Sequence, residues 1–195
     1  MRCPATLPNE SERLSALSDY GFDDEALLPS LDPVVQIAVR MFGMPVAAVN
    51  MIGSDHVFFA AATGVGDVDM GRDVSFCAHA ITRNEVMVVP DASRDERFHD
   101  NPLVTRPSGV CFYAGVPLLS VEGHPLGALC IIDSQPHEDF SGDDRERLRE
   151  LARMAADRLE LRRIEVASAR TRPLFEEYAG SSPTPVVWFD CWAKS

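Results

Sequence analysis

The sequence predicts an α/β fold of the α+β type, with helices on both faces of a central antiparallel sheet of about six strands and a long C-terminal helix. Short apolar runs occur in pairs separated by turn residues, which is typical of antiparallel hairpins. Apolar residues recur at helical spacing in residues 31–42 and again from residue 142 onward. Together these two periodicities indicate a sheet covered by helices.

Two helices are expected before the sheet. Residues 9–18 are predicted to form a short helix that Asn9 or Ser11 can cap. Residues 31–42 carry a core-facing apolar stripe, and Gly43 is well placed to end this helix in a left-handed conformation.

The first hairpin is expected directly after the second helix. Residues 46–52 and 56–62 are apolar runs too short for typical helices, and a polar turn of residues 53–55 separates them. We therefore expect two adjacent antiparallel strands.

The second half of the sheet is interrupted by helical segments. Residues 75–81 are predicted to be helical, residues 86–89 to form a strand, and residues 91–104 to form a polar, mostly helical excursion. Residues 111–118 and 126–132 are predicted to be two further strands joined by a turn.

A long helix is expected to follow the sheet. Residues 141–144 favour a helix start with acidic residues in the first turn. A helix from there to Thr171 spans about 45 Å, against a domain diameter of roughly 38 Å. Its core stripe is predicted to consist of Leu148, Leu151, Ala152, Ala155 and Leu159.

The far end of this helix carries a second apolar set, formed by Leu161, Ile164 and Ala167 on another face. A helix with two apolar stripes can pack one of them against its own core and the other against a partner helix. We therefore expect a parallel homodimer, the alternative being a frayed tail with incidental apolar residues.

The charge of the chain disfavours nucleic-acid binding. Among its 195 residues, 30 acidic side chains face 18 Lys and Arg, which gives a net charge of −12. Such a field repels phosphate backbones, and no basic stripe offsets it. We expect no direct contact with nucleic acid.

Hydropathy and cysteine content indicate a reduced aqueous compartment. No apolar run approaches the roughly 18 residues that span a bilayer, and the first residues lack the apolar core of a signal peptide. The five cysteines are an odd number without a CxxC pair. A cytoplasmic protein with free thiols and no membrane contact is expected.

Four sequence blocks occur in a recognisable order: Ser75-Phe-Cys-Ala-His-Ala80, Asp91-Ala92, Cys111-Phe-Tyr-Ala-Gly-Val-Pro-Leu118 and Leu126-Gly-Ala-Leu-Cys-Ile-Ile-Asp133. Together they resemble a GAF domain, a small regulatory ligand-binding fold found upstream of histidine kinases, cyclic-nucleotide enzymes and transcription regulators. The resemblance covers residues 10–163. It implies a helix and loop in residues 1–28, a GAF domain in residues 29–166, and a linker and tail in residues 167–195.

The tail resembles a second sensory module. Residues 174–190 are similar to the first helix and strand of a PAS domain. Because only 22 residues follow Pro173, the tail is expected to be a truncated PAS-like start.

The resemblance implies a sensory domain in signal transduction and not an enzyme. The sequence has no histidine-phosphorylation helix, ATP-binding region or cyclase signature. Relatives of this subgroup are commonly joined to histidine kinase, PAS or diguanylate cyclase modules. Such a module in cis or in trans is therefore the expected partner, as in a two-component system.

Two alternatives to sensing stay open. One is a ligand-free structural GAF module that only dimerises. The other is a thiol-based reductase of free methionine sulfoxide, which also has the GAF fold. The reductase is disfavoured because Pro90 stands just before Asp91, where that family has its catalytic cysteine.

Cofactor binding is also disfavoured. If residues 75–81 are helical, Cys77 and His79 lie about 200° apart around the axis and cannot bind one metal ion. Some GAF domains use a lone histidine for haem or a cysteine for a bilin, but Ala78 separates the two residues that bilin-binding relatives place side by side. We expect no cofactor, no metal and no catalytic residue.

The resemblance implies a small-molecule site between the sheet and a lid made by residues 75–81 and 91–104. The ligand itself is unknown. Nine candidate wall residues follow from this placement: Val49, Met51, Phe58, Phe76, His79, Arg97, Phe98, Tyr113 and Cys130.

Overall fold

The structure is a computed structural model that describes residues 1–22, 27–65 and 70–181, the last ten of these as backbone alone. The described elements are, in chain order, α1 Glu10–Ser18, α2 Asp32–Phe42, β1 Val46–Ile52, β2 His56–Thr63, β3 Met70–Gly71, α3 Phe76–Ala80, β4 Met87–Val89, α4 Pro102–Thr105, β5 Phe112–Leu119, β6 Pro125–Asp133 and α5 Gly142–Ser181.

The six strands form one antiparallel sheet in the order β3-β2-β1-β6-β5-β4. This confirms the predicted sheet of about six strands. The short strand β3 is an addition: Met70 and Gly71 pair with the start of β2. Two residues carry no periodicity, so the sequence gives no sign of this strand.

The sheet separates two hydrophobic cores, because successive side chains of a strand point to opposite faces. In β1, Val49 and Met51 belong to the large core, which contains side chains of α1, α2 and α5. Ala48 and Ile52 belong to the small core, which lies under α3 and α4. Helices therefore cover both faces, as predicted.

Two predicted helix boundaries are confirmed. The Ser75 hydroxyl caps α3 by accepting a hydrogen bond from the Ala78 N–H at 3.2 Å. Gly43 ends α2 with a φ of 63°, in the left-handed region that glycine enters without strain.

The segment before α4 is not the mostly helical excursion that the sequence predicts, because only Pro102–Thr105 is α-helical. The Asp91 carboxylate accepts hydrogen bonds from the backbone and the hydroxyl of Ser93. The Asp95 carboxylate likewise accepts from the backbone N–H of Arg97. These local bonds offer the backbone an alternative to the helical ladder and produce turns instead.

Helix α5 is longer than a compact domain of this size. Its 40 residues span about 60 Å, against a diameter of roughly 38 Å. It continues through Pro173 to Ser181, beyond the end at Thr171 considered from the sequence. Residues 182–195, which include the rest of the PAS-like segment, lie outside the described residues. The predicted core stripe is buried as expected, at Leu148, Leu151, Ala152, Ala155 and Leu159.

None of the helices in the described part of the chain combines the length and the apolar character needed to cross a bilayer.

The residues after α1 rest on the second half of α5. The Tyr20 hydroxyl donates a hydrogen bond to the Glu160 carboxylate, and the Arg170 guanidinium donates to the Ser18 carbonyl at 3.2 Å. Burial and the adjacent Glu160 raise the pKa of Tyr20 above its ordinary value. The N-terminal segment thus covers one side of α5 where that helix leaves the sheet.

A fully buried arginine joins α1 to the sheet. The Arg13 guanidinium donates hydrogen bonds to the carbonyls of Ile52 at 2.7 Å, Gly53 at 3.3 Å and Pro125 at 3.3 Å. It also pairs with Glu10 at 2.7 Å. One side chain therefore fixes α1 against the β1–β2 turn and the start of β6.

We predict that Arg13→Ala lowers the free energy of unfolding by about 3 kcal/mol, because the carbonyls of Ile52 and Pro125 lose a buried donor and Gly53 and Glu10 keep only Arg72. Urea denaturation followed by circular dichroism measures this. The matched control is Arg149→Ala, which removes an exposed pair with Glu146 and should cost less than about 1 kcal/mol. Equal losses in the two variants would contradict the role of Arg13.

A pH dependence follows from Glu10. Burial opposes its ionisation, but hydrogen bonds from Arg13 and Arg72 outweigh burial and lower the pKa from 4.5 to about 2. The unfolded chain therefore binds this proton first on acidification. The stabilisation is present above pH 4.5 and is lost as the pH falls towards 2. We expect the difference in free energy of unfolding between wild type and Glu10→Gln to shrink over this interval. A constant difference would refute the assignment.

Candidate functional site

A cavity of about 290 Å³ opens on the small-core side of the sheet. Its walls come from the beginning of β1, from α3, from residues 103–110 and from the facing parts of β5 and β6. Its size is near the lower end of the range for small-molecule pockets. The wall includes the apolar side chains of Val46, Phe59, Phe76, Val110 and Ile132.

Asn50 is the polar residue in the floor of this cavity. Its side chain is buried, and its carbonyl oxygen Oδ1 has no hydrogen-bond partner among the described residues. Its amide nitrogen Nδ2 donates to the Cys77 sulfur at 3.1 Å and to the Cys130 sulfur at 3.6 Å. The pairing of β1 with β2 shifts register between Val49 and Asn50. Such bulges are frequent beside functional sites.

Tyr113 brings a second donor to the same sulfur. Its ring is fully buried, and its hydroxyl donates to Cys77 Sγ at 3.2 Å. Gly115 makes room for this ring, since a Cβ at that position would lie 2.2 Å from the Tyr113 hydroxyl. The sequence Tyr-Ala-Gly in β5 therefore allows the phenol to lie along the sheet and reach α3.

The cluster of Asn50, Tyr113, Cys77 and Cys130 is electrostatically asymmetric. Hydrogen bonds from Cys130, Tyr113 and Asn50 lower the pKa of the Cys77 thiol against the opposing effect of burial. The hydrogen bond to Cys77 and burial raise the pKa of Cys130. Burial and the neighbouring thiols raise the pKa of Tyr113. Because the Asn50 amide and the Tyr113 hydroxyl both donate to Cys77 Sγ, this sulfur is the best placed of the group to carry negative charge.

Aromatic packing closes the lid above this cluster. The rings of Phe76 and Phe98 stack with centroids 4.0 Å apart, and Phe76 also contacts the Tyr113 ring at 5.2 Å. The Arg97 guanidinium lies 4.8 Å from the centroid of Phe98. These contacts attach α3 and the turns before α4 to the sheet.

Polar residues surround the mouth of the cavity. Arg106 and Ser108 are exposed there, and Ser108 has a φ of 53°, a left-handed conformation that is uncommon outside glycine. Asp133 lies opposite and binds His137 Nε2 at 2.8 Å. Burial raises the pKa of Asp133, but the hydrogen bonds from His137 and from the backbone of Gln135 and Ser134 together outweigh burial and keep the pKa below its usual value.

The structure divides the nine candidate residues among three environments. Phe76 and Tyr113 line the cavity, while Cys130 and Phe98 lie in the small core around it. Val49, Met51 and Phe58 belong to the large core on the opposite face. They do not line this cavity, contrary to the expected arrangement. Side chains alternate between the two faces along a strand, and these three point to the face opposite the cavity.

His79 and Arg97 lie at a separate surface groove formed with the N-terminal residues. His79 Nε2 bonds the Arg2 carbonyl at 3.0 Å, and burial lowers the pKa of His79. Arg97 pairs with Asp95 at 2.7 Å. These two residues therefore face away from the cavity. Within the described residues, no cluster of three or more His, Cys, Asp or Glu side chains could hold a metal ion.

Sequence reasoning missed Asn50 and did not include Cys77 among the wall residues. Asn50 gives a usable signal, because it is the single amide in the apolar run Val46–Ile52. A polar side chain in a strand buried on both faces requires a partner or a function. The neighbourhood of Cys77 could not be inferred, since it depends on three elements far apart in the chain.

A protein family and a curated protein match this chain in sequence. A family model described as the GAF domain matches residues 27–159. A cyclic di-GMP phosphodiesterase of Pseudomonas aeruginosa is 32% identical over 159 residues, which are 82% of this chain and 27% of that protein. The chain thus spans about a quarter of the length of this curated relative.

Solved structures of low sequence identity share the fold. A free methionine-R-sulfoxide reductase from Neisseria meningitidis has a TM-score of 0.58 and 19% identity, covering 80% of this chain and 88% of that chain. A GAF domain/HD domain protein from Geobacter sulfurreducens has a TM-score of 0.56 and 15% identity, covering 77% and 98%. At such identities the likeness extends to the fold alone.

Proposed function

This chain belongs to the GAF domain family, and we propose that it is a sensory domain that binds a small molecule over Asn50 and signals through α5. One observation carries the proposal. The Asn50 carbonyl oxygen is buried without a partner at an open cavity. An unsatisfied buried acceptor costs about 1–3 kcal/mol. A ligand that donates a hydrogen bond to it offsets this cost.

The lining supports a ligand with a defined polarity. Its inner end presents an N–H or O–H group to Asn50 Oδ1, and its body is apolar enough to contact Phe59 and Phe76. The exposed Arg106 at the mouth favours an acceptor or anionic group at the outer end. A small amphipathic metabolite fits this description.

Strands β5 and β6 provide the route from the cavity to α5. Tyr113 and Cys130 face the small core, whereas their neighbours Phe112 and Leu129 face the large core that includes α5. A ligand that moves these strands therefore also shifts the packing of α5. Signalling of this kind needs only a difference in ligand affinity between two arrangements.

An exposed apolar stripe on α5 supports the homodimer. Met154, Leu161 and Ile164 are 47%, 53% and 58% exposed. Leu161 and Ile164 lie on the side of α5 away from the contact with Ser18. Two copies packed in parallel along this stripe bury these side chains, which water otherwise surrounds.

Signalling relatives support the proposed pathway. The chain is 32% identical to the cyclic di-GMP phosphodiesterase over 82% of its own length. We therefore place this domain in cytoplasmic control of cyclic di-GMP turnover, with a cyclase, phosphodiesterase or histidine kinase module as the partner it regulates. The domain itself acts as the sensor, without catalysis.

The alternative is a structural GAF module that only dimerises. The dense packing of Phe76, Phe98 and Tyr113 favours it, because a lid held this tightly needs no ligand for stability. The two functions differ in whether ligand binding through Asn50 can be measured.

We predict that Asn50→Leu abolishes ligand binding while changing the free energy of unfolding of the ligand-free protein by less than about 1 kcal/mol, since the lost N–H···S bonds are offset by removal of an unsatisfied acceptor. Native mass spectrometry of purified protein and thermal shift against a small-metabolite library identify ligands of the wild type. Bound ligand raises the unfolding temperature by mass action.

The matched control is Met51→Leu, one residue away on the opposite face, which should retain binding. Absence of any bound or stabilising molecule for the wild type supports the structural module. Equal binding by Asn50→Leu would refute the role of the amide.

A second prediction concerns the dimer. The double variant Leu161→Glu, Ile164→Glu should shift a wild-type dimer to monomer in sedimentation velocity, because it places like charges at the proposed interface. Ala169→Glu lies about 80° from Leu161 and about 140° from Ile164 around α5, so it should weaken the dimer less than the double variant does. A wild type that stays monomeric at every accessible concentration excludes the dimer.

A further inference from the structure

Two buried thiols beside the cavity share one hydrogen-bond donor. Cys77 comes from α3 and Cys130 from β6, and the Asn50 amide nitrogen donates to both sulfur atoms, at 3.1 Å and 3.6 Å. Both side chains are buried. Neither has a part in the ligand contacts proposed above.

The donors around Cys77 favour its thiolate. The Asn50 N–H and the Tyr113 O–H both point at Cys77 Sγ, at 3.1 Å and 3.2 Å. The thiolate accepts hydrogen bonds better than the thiol, so two fixed donors stabilise the reactive form of the side chain. They lower the pKa of Cys77, as described above.

The cavity gives small molecules access to this sulfur. Cys77 is part of the cavity lining, whereas Cys130 lies behind it in the small core. Hydrogen peroxide has two heavy atoms and is far smaller than the cavity of about 290 Å³. The exposed residues Arg106 and Ser108 mark the entrance. A buried thiol can therefore meet a small oxidant without unfolding of the lid.

From this arrangement we propose that Cys77 is a site of oxidation by hydrogen peroxide or small hydroperoxides, with Cys130 as the resolving thiol. The Cys77 thiolate attacks one peroxide oxygen, the O–O bond breaks, and the leaving oxygen takes a proton as water or an alcohol. Cys77 is then a sulfenic acid. The Cys130 sulfur attacks Cys77 Sγ and expels a second water, which leaves a Cys77–Cys130 disulfide. Two thiols are oxidised and one peroxide is reduced.

Solvent exposure alone predicts that the more exposed cysteines react with peroxide before Cys77 does. Cys3 is exposed and Cys111 is half-buried, whereas Cys77 is buried. If access to solvent governed oxidation, Cys3 and Cys111 would react before Cys77. The proposal instead ranks Cys77 first, because its sulfur lies beside a cavity and accepts two hydrogen bonds.

The test treats the reduced 195-residue chain with hydrogen peroxide and measures intact mass and differential alkylation over time. We expect loss of two hydrogens, mapped to a peptide pair containing Cys77 and Cys130, before modification of Cys3 or Cys111. Cys130→Ser should instead accumulate a Cys77 sulfenic acid that dimedone traps. Cys111→Ser is the matched control and should form the disulfide at the wild-type rate.

Tyr113→Phe provides a variant that leaves both thiols in place. It removes one donor to Cys77 and should slow the first oxidation step several-fold while thermal unfolding shows a folded protein. Faster modification of Cys3 or Cys111 than of Cys77, a disulfide to any other cysteine, or an unchanged rate in Tyr113→Phe would each overturn the proposal. None of these readouts requires a bound metabolite, so failure of the sensing proposal leaves this test intact.

Discussion

Strand β1 is buried on both faces, and this constraint determines where the rest of the structure can place a site. Its side chains alternate between the large core and the small core. On the large-core side α2 and α5 fill the space with apolar side chains. On the small-core side the short lid leaves a cavity, and Asn50 is the β1 amide at its floor. Strand β6 can pack this closely against β1 only with glycine at position 127, since a Cβ there would lie 1.9 Å from the Asn50 backbone carbonyl oxygen.

The same constraint explains which features were predictable from the sequence. Strand and helix periodicity gives the sheet, the core stripe of α5 and the cap at Ser75, because each depends on residues close together in the chain. Val49, Met51 and Phe58 were predicted to line one ligand site together with Tyr113 and Cys130, but the first three belong to the large core and the other two to the small core. Hydrophobicity does not show which face a residue of such a strand points to, because a strand covered on both sides is apolar on both.

The site itself depends on distant contacts that no local pattern encodes. The sulfur of Cys77 meets Asn50 across 27 positions and Tyr113 across 36. Residues 91–104 of the lid were predicted to be mostly helical, but the Asp91 and Asp95 carboxylates satisfy the backbone there in turns. Asp side chains that accept hydrogen bonds from nearby backbone N–H groups compete with helix formation. The sequence pattern of this segment does not show which of the two arrangements forms.

Asn50 links the proposed ligand to the proposed oxidation. A donor on the ligand that engages Asn50 Oδ1 polarises the amide, which strengthens the N–H bond to Cys77 Sγ. Oxidation removes the thiolate that accepts this bond and draws Cys77, and with it α3, towards Cys130. Each event therefore changes the free energy of the other, and linkage requires the effect to be reciprocal. Since α3 forms part of the cavity wall, ligand affinity should differ between the dithiol and disulfide forms of the protein. Under the two proposals, the buried Asn50 side chain makes the domain respond both to a metabolite and to the peroxide level.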